Sequence, residues 1–442
     1  MFIYYIKLAC LSLWQTRSLS FLAVLIIGVG ISATMTTYTI NYMMTKDPLP
    51  AKSERVFLVR LNNWSPEASY RNRAEERPPT YISVQDSLNL MTQNKAKGHI
   101  PIAGFKDMLK LPEQSAIDAE VSVVRATTRD FFSTFDVPFL YGSSWPQSSD
   151  TTGEQVVVIS KALNLSLFSG ENSIGRTLML GENQFTVVGV LDDWHLLPRF
   201  YGDSMRAFQP PREIFVPFQT QINLELWTSN LQSYECWKEP ENASVAALWS
   251  SECIWVFFWV ELASADNKSE YLDFLDSYVR EQQALGRFQR PILNQLQTGA
   301  DYLQERRAYS RDSEIAVWLA GCFLALCLLN AMSIIMTKFQ GKTAEVALRR
   351  AVGASSADLV QQYALETGII GLLGGMLGLV LTQVCLYVSS QLYTHLSKDI
   401  MNMSMALMLA TVILSIVSSL IFGLLPILRA IGVQPAEQLK SL

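Results

Sequence analysis

The short motif Gly341-Lys342-Thr343 matches the end of a phosphate-binding loop. Such a loop needs a further glycine five residues before Gly341 and a strand ahead of it, because its backbone N–H groups hold the phosphates at a strand-to-helix turn. The required position is Met336, and a long apolar segment precedes the motif. We therefore expect no nucleotide site here.

Histidines and cysteines are the other residues that could do chemistry. The histidines His99, His195 and His395 are widely separated, and no Cys/His cluster with metal-ligand spacing occurs. The nucleophile pattern G-x-S-x-G is also missing. We predict no catalytic residue, no metal site and no cofactor bound by this chain, and no enzymatic activity of its own.

The composition is that of a membrane protein. Of the 442 residues, 49% are hydrophobic and 17% are charged, whereas about a quarter are charged in soluble domains. The mean hydropathy is +0.18. The net charge of −5 argues against a nucleic-acid partner, because phosphates are bound by clustered Lys and Arg.

Four apolar segments are long enough to cross the hydrocarbon core, which needs about 20 residues. They are residues 18–43, 315–336, 364–390 and 404–428. The first could be a cleaved signal peptide, since Lys7 and Arg17 precede it. Its apolar run is longer than the roughly 7–15 residues of a signal peptide, which favours a retained anchor.

Positive charges near the spans predict the orientation, because loops rich in Lys and Arg stay in the cytoplasm. They are Lys7, Arg17, Lys338, Lys342, Arg349, Arg350, Arg429 and Lys440. We predict that the amphipathic segment 1–17, the segment 337–363 and the tail 429–442 are cytoplasmic. Residues 44–314 and the loop 391–403 then lie on the outer side of the membrane, whose lipid surrounds the spans.

The outer segment 44–314 is large enough to fold around its own core. Strand patterns occur at 56–61, 121–126, 155–160, 185–191, 213–218 and 254–262, and helix patterns at 82–93, 129–135, 161–168 and 267–285. The mixture predicts an α+β domain. The fold class is therefore a membrane protein with four transmembrane α-helices, one plus three, and a large α+β periplasmic domain between the first two.

Cysteines and tryptophans in this domain each allow two interpretations. Cys236 and Cys253 are predicted to form a disulfide, since an oxidising compartment permits one; two buried unpaired thiols are the alternative. Six tryptophans lie between Trp194 and Trp259. They form either a recognition surface for an apolar ligand or partner or, as we favour, part of the core.

Small and polar residues inside the spans predict helix contacts. Gly371 with Gly375 and Gly374 with Gly378 form two overlapping G-x-x-x-G pairs, which let another helix of this chain or of a second copy approach closely. Asn330 in the second span is costly in lipid and should face protein.

Glu366, at the start of the third span, should be paired or neutral, because a charged side chain in the bilayer is costly. A proton relay is the weaker alternative. The sequence offers no companion carboxylate within the spans.

Residues 343–352 predict a short helix between the second and third spans. Its apolar side consists of Val346, Ala347, Ala351 and Val352. Gly353 is placed to end it, and Ser355 with Asp358 forms a capping box that starts the next helix. Such an element is either a passive interfacial helix or a rigid lever seated in a partner's groove.

At these residues the chain resembles the MacB/FtsX-type family of ABC transporter permeases, the mechanotransmission or type VII group. The segment Glu345-Val-Ala-Leu-Arg-Arg-Ala-Val-Gly-Ala-Ser355 is similar to the family's coupling helix. Further similarity lies at Leu365-Glu366, in the tail 429–439, and in the outer segment at 128–142, 157–163, 175–178 and 186–190. The resemblance covers nearly the whole chain.

The resemblance implies which residues couple to an ATPase. They are Glu345, Leu348, Arg349, Arg350, Ala351, Val352, Gly353 and Ala354. It also implies a porter-like part at about 50–150 and 253–312, with an inserted strand-rich part at about 151–252. The stretch 219–253 departs from the family pattern, which leaves its role and the substrate open.

The resemblance also implies a function. A dimer of identical or homologous permeases would rest on a separate ABC ATPase dimer that binds ATP and Mg. The ATPase motion would reach the periplasmic domain through the coupling helix and expel a hydrophobic or peptidic substrate through a periplasmic adaptor and an outer-membrane channel. FtsX-like transmembrane signalling and lipoprotein release are the alternatives.

Overall fold

A computed structural model describes residues 2–72, 77–194, 196–202, 208, 214–226, 234–242, 244–305, 311–393 and 401–431. The chain divides into two compact units. We call Met1–Lys46 with Tyr309–Leu442 the membrane unit, and Asp47–Ala308 the outer unit. The membrane unit consists of helices, and the outer unit contains a sheet together with helices.

The secondary structure follows the chain from one unit to the other and back. The first two helices are α1 (Phe2–Gln15) and α2 (Arg17–Thr45). The helices of the outer unit are α3 (Val84–Met91), α4 (Asp130–Thr134), α5 (Ser149–Thr152), α6 (Lys161–Phe168), α7 (Phe218–Asn223), α8 (Val245–Trp249), α9 (Lys268–Ala284) and α10 (Gly299–Glu305). The last four are α11 (Arg311–Gln340), α12 (Thr343–Ala351), α13 (Ser356–Leu392) and α14 (Met405–Ile431).

The outer unit contains one mixed sheet. Its strands are β1 (Val56–Arg60), β2 (Ile82–Ser83), β3 (Gly98–Lys110), β4 (Glu120–Thr127), β5 (Phe139–Gly142), β6 (Val156–Ile159), β7 (Thr177–Leu180), β8 (Asn183–Leu191), β9 (Ile214–Pro217), β10 (Ile254–Glu261) and β11 (Gln295–Thr298). The order is β11-β1-β10-β3-β4-β9-β6-β8-β5. The pairs β4–β9 and β6–β8 are parallel. This mixture of a sheet and helices agrees with the predicted α+β class.

The stretch 151–252, predicted as an inserted strand-rich part, contributes β6, β7, β8 and β9 to the sheet. Strands β6, β8 and β9 from this stretch join the sheet beside β4. The long strand β3, which the sequence patterns did not predict, makes the connection because it pairs with β10 at its start and with β4 and β7 further along. Pro101 and Gly104 interrupt the strand pattern of β3 in the sequence, since both residues are unusual in a strand interior.

Tryptophans fill the core of the outer unit. Trp145, Trp255 and Trp259 are among the largest fully buried side chains, and Trp249 is also buried. The half-buried Trp194 stacks on Tyr201. The core interpretation is therefore correct for Trp249, Trp255 and Trp259. Trp194 and Trp237 are half-buried, and Trp227 lies outside the described residues.

In the described part of the chain, four helices are long and apolar enough to cross a membrane, namely α2, α11, α13 and α14. Each predicted span coincides with one of them. Helix α13 begins eight residues before the predicted third span, because the capping box fixes its first turn. The helix therefore continues from the apolar span into the polar segment that follows α12.

The two G-x-x-x-G pairs of α13 contact two different helices of this chain. A Cβ added to Gly374 or Gly378 would lie 2.8 Å from Ile27 or Ile31 of α2. Added to Gly371, it would lie 2.7 Å from Ser419 and 3.1 Å from the Cα of Ile416 in α14. The glycines thus allow both neighbours to approach the α13 backbone, as close packing between helices in lipid requires.

Hydroxyl groups of α14 reinforce this packing. Ser415 donates to the carbonyl of Gly371 at 2.7 Å, and Ser419 donates to that of Thr367 at 2.9 Å. Asn330 of α11 behaves differently, because its side chain is exposed in this chain. The protein contact predicted for Asn330 is therefore not made by the described residues of the chain itself.

Gly371→Ala is expected to lower the free energy of unfolding of the membrane unit by about 1–3 kcal/mol, because the new methyl group would displace the α14 backbone. Thermal unfolding of the full chain in detergent measures this change. Gly321→Ala is the matched control, since a Cβ at Gly321 of α11 meets nothing within 4 Å. Equal unfolding temperatures for both variants would contradict the packing role.

Candidate functional site

Local signals fix both ends of α12. At its end, the N–H groups of Gly353 and Ala354 donate to the carbonyls of Arg350 and Arg349 at 3.1 and 3.0 Å, which is the Schellman pattern. Gly353 has a φ of 104°, a conformation that glycine adopts without a Cβ penalty. The stop predicted at Gly353 is therefore present.

The predicted capping box begins the next helix. The Ser355 hydroxyl accepts from the N–H of Asp358, and the Asp358 carboxylate accepts from the N–H of Ser355 at 3.1 Å. Only a short turn separates the end of α12 from the start of α13. The helix α12 is therefore held in a defined orientation at the end of a span.

The two sides of α12 differ in exposure. Val346 is 3% exposed and packs inward, whereas Leu348 and Val352 are 61% and 82% exposed. Leu348 and Val352 are four residues apart, so they lie on the same face of the helix or of its last turn. The predicted apolar side is therefore divided, with one part buried in this chain and another exposed. The side chains of Ala347 and Ala351 lie outside the description.

The two arginines of α12 contact this chain. Arg349 forms an ion pair with Glu345 at 2.5 Å and donates to Gln362 of α13 at 2.8 Å. Arg350 lies 3.5 Å from the Ser356 hydroxyl. Both side chains are half-buried. Arg349 therefore attaches α12 to α13, a role that the sequence analysis did not assign to it.

A buried ion pair lies close to α12. Lys338 of α11 and Glu366 of α13 are in direct contact, with side chains 1% and 0% exposed. Lys338 also donates to Ser20 of α2 at 2.9 Å. Lys342, just before α12, has its Nζ 4.0 Å from Glu366 Oε1. Glu366 is thus paired, as predicted for a charged residue in a span.

The N-terminal helix α1 contributes to the same cluster. Ser12 donates to Glu366 Oε1 at 2.5 Å and accepts a hydrogen bond from Lys342. Tyr5 donates to Asp358 Oδ1 at 3.0 Å, and this bond raises the pKa of the Tyr5 phenol. The other oxygen of Glu366, Oε2, has no hydrogen-bond partner in the described part of the chain.

Sequence analysis missed Lys338 as the partner of Glu366, and it missed Tyr5 and Ser12 altogether. Lys338 served only as one of the cytoplasmic charges. A usable signal did exist, because each of two neighbouring spans carries one isolated charge of opposite sign near the same end. Charges placed in this way in a membrane segment usually pair. The polar residues of α1 give no comparable signal.

A disulfide joins Cys236 to Cys253 in the outer unit, with a Cα–Cα distance of 4.3 Å. It closes a loop of sequence separation 17 ahead of β10. Glu235, next to Cys236, pairs with Arg71 and exchanges backbone hydrogen bonds with Ile254. The disulfide therefore fixes part of the stretch 219–253 against the start of β10.

Cys236→Ser is expected to lower the free energy of unfolding of the outer unit by about 3 kcal/mol, because the unfolded chain gains the freedom of an open loop of this length. Denaturant unfolding of the full chain, followed by tryptophan fluorescence under non-reducing conditions, measures the change. Cys385→Ser is the control at an exposed free thiol in α13. Equal midpoints for the two variants would contradict the stabilising role.

Two family models match the chain in succession. Residues 20–270, more than half of the chain, match the MacB-like periplasmic core domain. Residues 317–435 match the FtsX-like permease C-terminal domain. The first match includes most of α2 and most of the outer unit, and the second includes α12, α13 and α14. Together the matches indicate a multi-pass membrane protein with a periplasmic domain.

Curated relatives agree with the family models. The chain is 21% identical over 437 residues to the pyoverdine export ATP-binding/permease protein PvdT of Pseudomonas entomophila, covering 97% of this chain and 58% of that protein. It is 22% identical over 309 residues to the macrolide export ATP-binding/permease protein MacB of Marinobacter nauticus, covering 69% and 41%. The chain thus spans only about half the length of these relatives.

A solved structure is also similar. The periplasmic region of MacB from Actinobacillus actinomycetemcomitans is 12% identical and covers 59% of this chain and 96% of that one, with a TM-score of 0.37. The family assignment depends instead on the model that matches residues 20–270, which accounts for most of the outer unit. The chain therefore belongs to the MacB/FtsX-type family of ABC transporter permeases.

Proposed function

We propose that this chain transmits the motion of a partner ABC ATPase across the bacterial inner membrane to its own periplasmic domain. The observation that carries the proposal is the geometry of α12. Leu348 in this short helix and Val352 directly after it are exposed, while Arg349 and the capping box at Ser355 attach the helix to α13. An exposed apolar face on a firmly attached helix is suited to a groove in a partner.

The order of the domains in the sequence predicts the side of the membrane on which α12 lies. The periplasmic domain lies between α2 and α11 in the sequence, so α12, one span later, faces the cytoplasm. Lys7, Arg17 and Arg429 near the same ends of the spans support this orientation through the positive-inside rule. ATP and Mg would be bound by the partner ATPase, and this chain would carry no catalytic residue.

A second permease, identical or homologous, would complete the assembly. The exposure of Asn330 in α11 supports this part of the proposal, because an amide facing lipid is costly and is normally covered by protein. The relatives named for pyoverdine and macrolide export favour an export role. We propose a hydrophobic or peptidic substrate taken from the periplasm or the outer leaflet, with a periplasmic adaptor and an outer-membrane channel.

The deciding experiment is purification of the tagged gene product from its host in mild detergent, followed by identification of the bound proteins and an ATP hydrolysis assay. We expect an ABC ATPase in the purified complex and ATP hydrolysis that vanadate inhibits. A purified permease with no ATPase bound and no hydrolysis would overturn the proposal.

A deletion strain separates export from the alternatives. Loss of an exporter should raise sensitivity to hydrophobic or peptidic compounds and their accumulation in the cell envelope. Loss of an FtsX-like signalling protein should instead change cell-wall hydrolysis and cell shape. Loss of a lipoprotein-release system should leave lipoproteins in the inner membrane.

A further inference from the structure

The helix α1 runs beside the first turns of α13 and is bound to it at two points. Tyr5 donates to Asp358, and Ser12 donates to Glu366. Tyr5 and Ser12 are about two helical turns apart, as are Asp358 and Glu366. Both pairs therefore lie along one parallel contact between the two helices.

Helix α1 also contacts the chain on the other side of α12. Asp358 follows α12 and belongs to the capping box that starts α13. Lys342 immediately precedes α12 and donates to the same Ser12 hydroxyl that donates to Glu366. Both chain segments that enter and leave α12 are therefore hydrogen-bonded to α1.

The other residues of α1 suit a position at the membrane surface. Tyr4, Leu11 and Trp14 are 60%, 63% and 80% exposed in this chain. Apolar and aromatic side chains on one side of a helix, with polar contacts on the other, are typical of helices that lie in the interface between lipid and water. Such a helix provides a fixed support at the end of the spans.

We infer that α1 is a positioning element for α12, which it holds against the spans at both ends through Tyr5 and Ser12. This inference depends on the proposed function, in which α12 receives the motion of an ATPase. A force on Leu348 and Val352 is then transferred to α11 and α13, because the flanking segments cannot yield separately. We call the hydrogen bonds of Tyr5 with Asp358 and of Ser12 with Lys342 the clamp. Without the clamp, α12 would tilt and absorb part of the motion.

Hydrogen–deuterium exchange of the full chain in lipid nanodiscs tests the clamp without an ATPase. In the double variant Tyr5→Phe/Ser12→Ala, we expect amide exchange across residues 342–358 to become about tenfold faster, because the three hydrogen bonds that join α1 to Lys342, Asp358 and Glu366 are lost. Exchange in the spans should remain at the wild-type rate. Unchanged exchange in 342–358 would overturn the inference.

The matched control is Tyr4→Phe/Ser18→Ala, which removes one tyrosine and one serine hydroxyl at exposed positions. It should leave amide exchange in residues 342–358 unchanged. If the first double variant also loosens the spans, Tyr5→Phe alone decides, since it removes only one partly exposed hydroxyl. An equal increase in the control would also overturn the clamp. Failure of the clamp in these exchange measurements is distinct from failure of the proposed function, because the proposed function is tested by ATPase binding.

A functional assay adds a result that a merely structural role would not give. In the assembled complex, Tyr5→Phe/Ser12→Ala should retain ATP hydrolysis but lose at least half of the ATP-driven work of the periplasmic domain. Equal loss of both activities would show that α1 only stabilises the fold.

Discussion

Glu366→Ala is expected to destabilise the membrane unit by about 3–5 kcal/mol, because it leaves Lys338 buried without its counter-charge. The Lys338 and Glu366 side chains are 1% and 0% exposed. Ser20 also binds Lys338 but carries no charge. Thermal unfolding of the purified full chain in detergent, followed by the loss of soluble monomer, measures the effect.

Two further variants test whether the buried pair is the cause. Glu345→Ala makes the same change at an exposed carboxylate whose partner is the half-buried Arg349, and it should cost less than about 1 kcal/mol. The double variant Lys338→Met/Glu366→Leu should recover most of the loss, since apolar residues of similar volume can replace a buried ion pair. Similar unfolding temperatures for Glu366→Ala and Glu345→Ala would contradict the prediction.

The position of the ion pair connects this stability to the proposed motion. Lys338 is near the end of α11 and Glu366 is near the start of α13, and α12 is the segment between them. The pair therefore joins the two spans on either side of α12. When α12 moves, both spans must move with it or the buried pair must break, and breaking it leaves the buried Lys338 without its counter-charge.

Features of α12 that depend on neighbouring residues were predictable from the sequence. Gly353 ends the helix because its φ of 104° suits glycine, and Ser355 begins the next one through a bond to Asp358 three residues later. Each signal is complete within a few residues. The same holds for α6, whose bounds match its predicted range, since Ser160 caps its first turn.

Features that join distant parts of the chain were not predictable in this way. Ser12 and Glu366 meet across more than 300 residues, and no local pattern indicates which polar residue of α1 faces α13. The strand β3 is recognisable only through its partners β10 and β4, because Pro101 and Gly104 interrupt its pattern. The contact of Arg349 with Gln362 was missed for the same reason, because it depends on how α12 folds onto α13.

Leu348→Asp is expected to weaken binding of the proposed ATPase partner by at least about 30-fold, because a carboxylate would enter the proposed apolar contact. Truncating a central interface residue costs about 2 kcal/mol or more, which corresponds to a change of this size in Kd. Leu348 is 61% exposed, so the substitution removes little packing within this chain. Copurification of the ATPase and ATP hydrolysis by the complex measure the effect.

Leu348→Asp is a sharper test than charge reversal at Arg349 and Arg350. Arg349 binds both Glu345 and Gln362, so Arg349→Glu would release α12 from α13 and change its attachment as well as its surface. The matched control for Leu348→Asp is Leu285→Asp. Leu285 follows α9 in the outer unit and is 74% exposed, and the same change there should leave ATPase binding and hydrolysis unchanged.

The pattern of results separates the two roles considered for α12. If α12 is a lever, Leu348→Asp and Val352→Asp should both reduce ATPase binding, because the two side chains share one exposed face, and both variants should unfold at the wild-type temperature. If α12 is a passive interfacial helix, a charge on this face should weaken its association with lipid and leave any ATPase bound. Normal ATPase binding in both variants would therefore exclude α12 as the docking point, even if the family's ATPase partner is found.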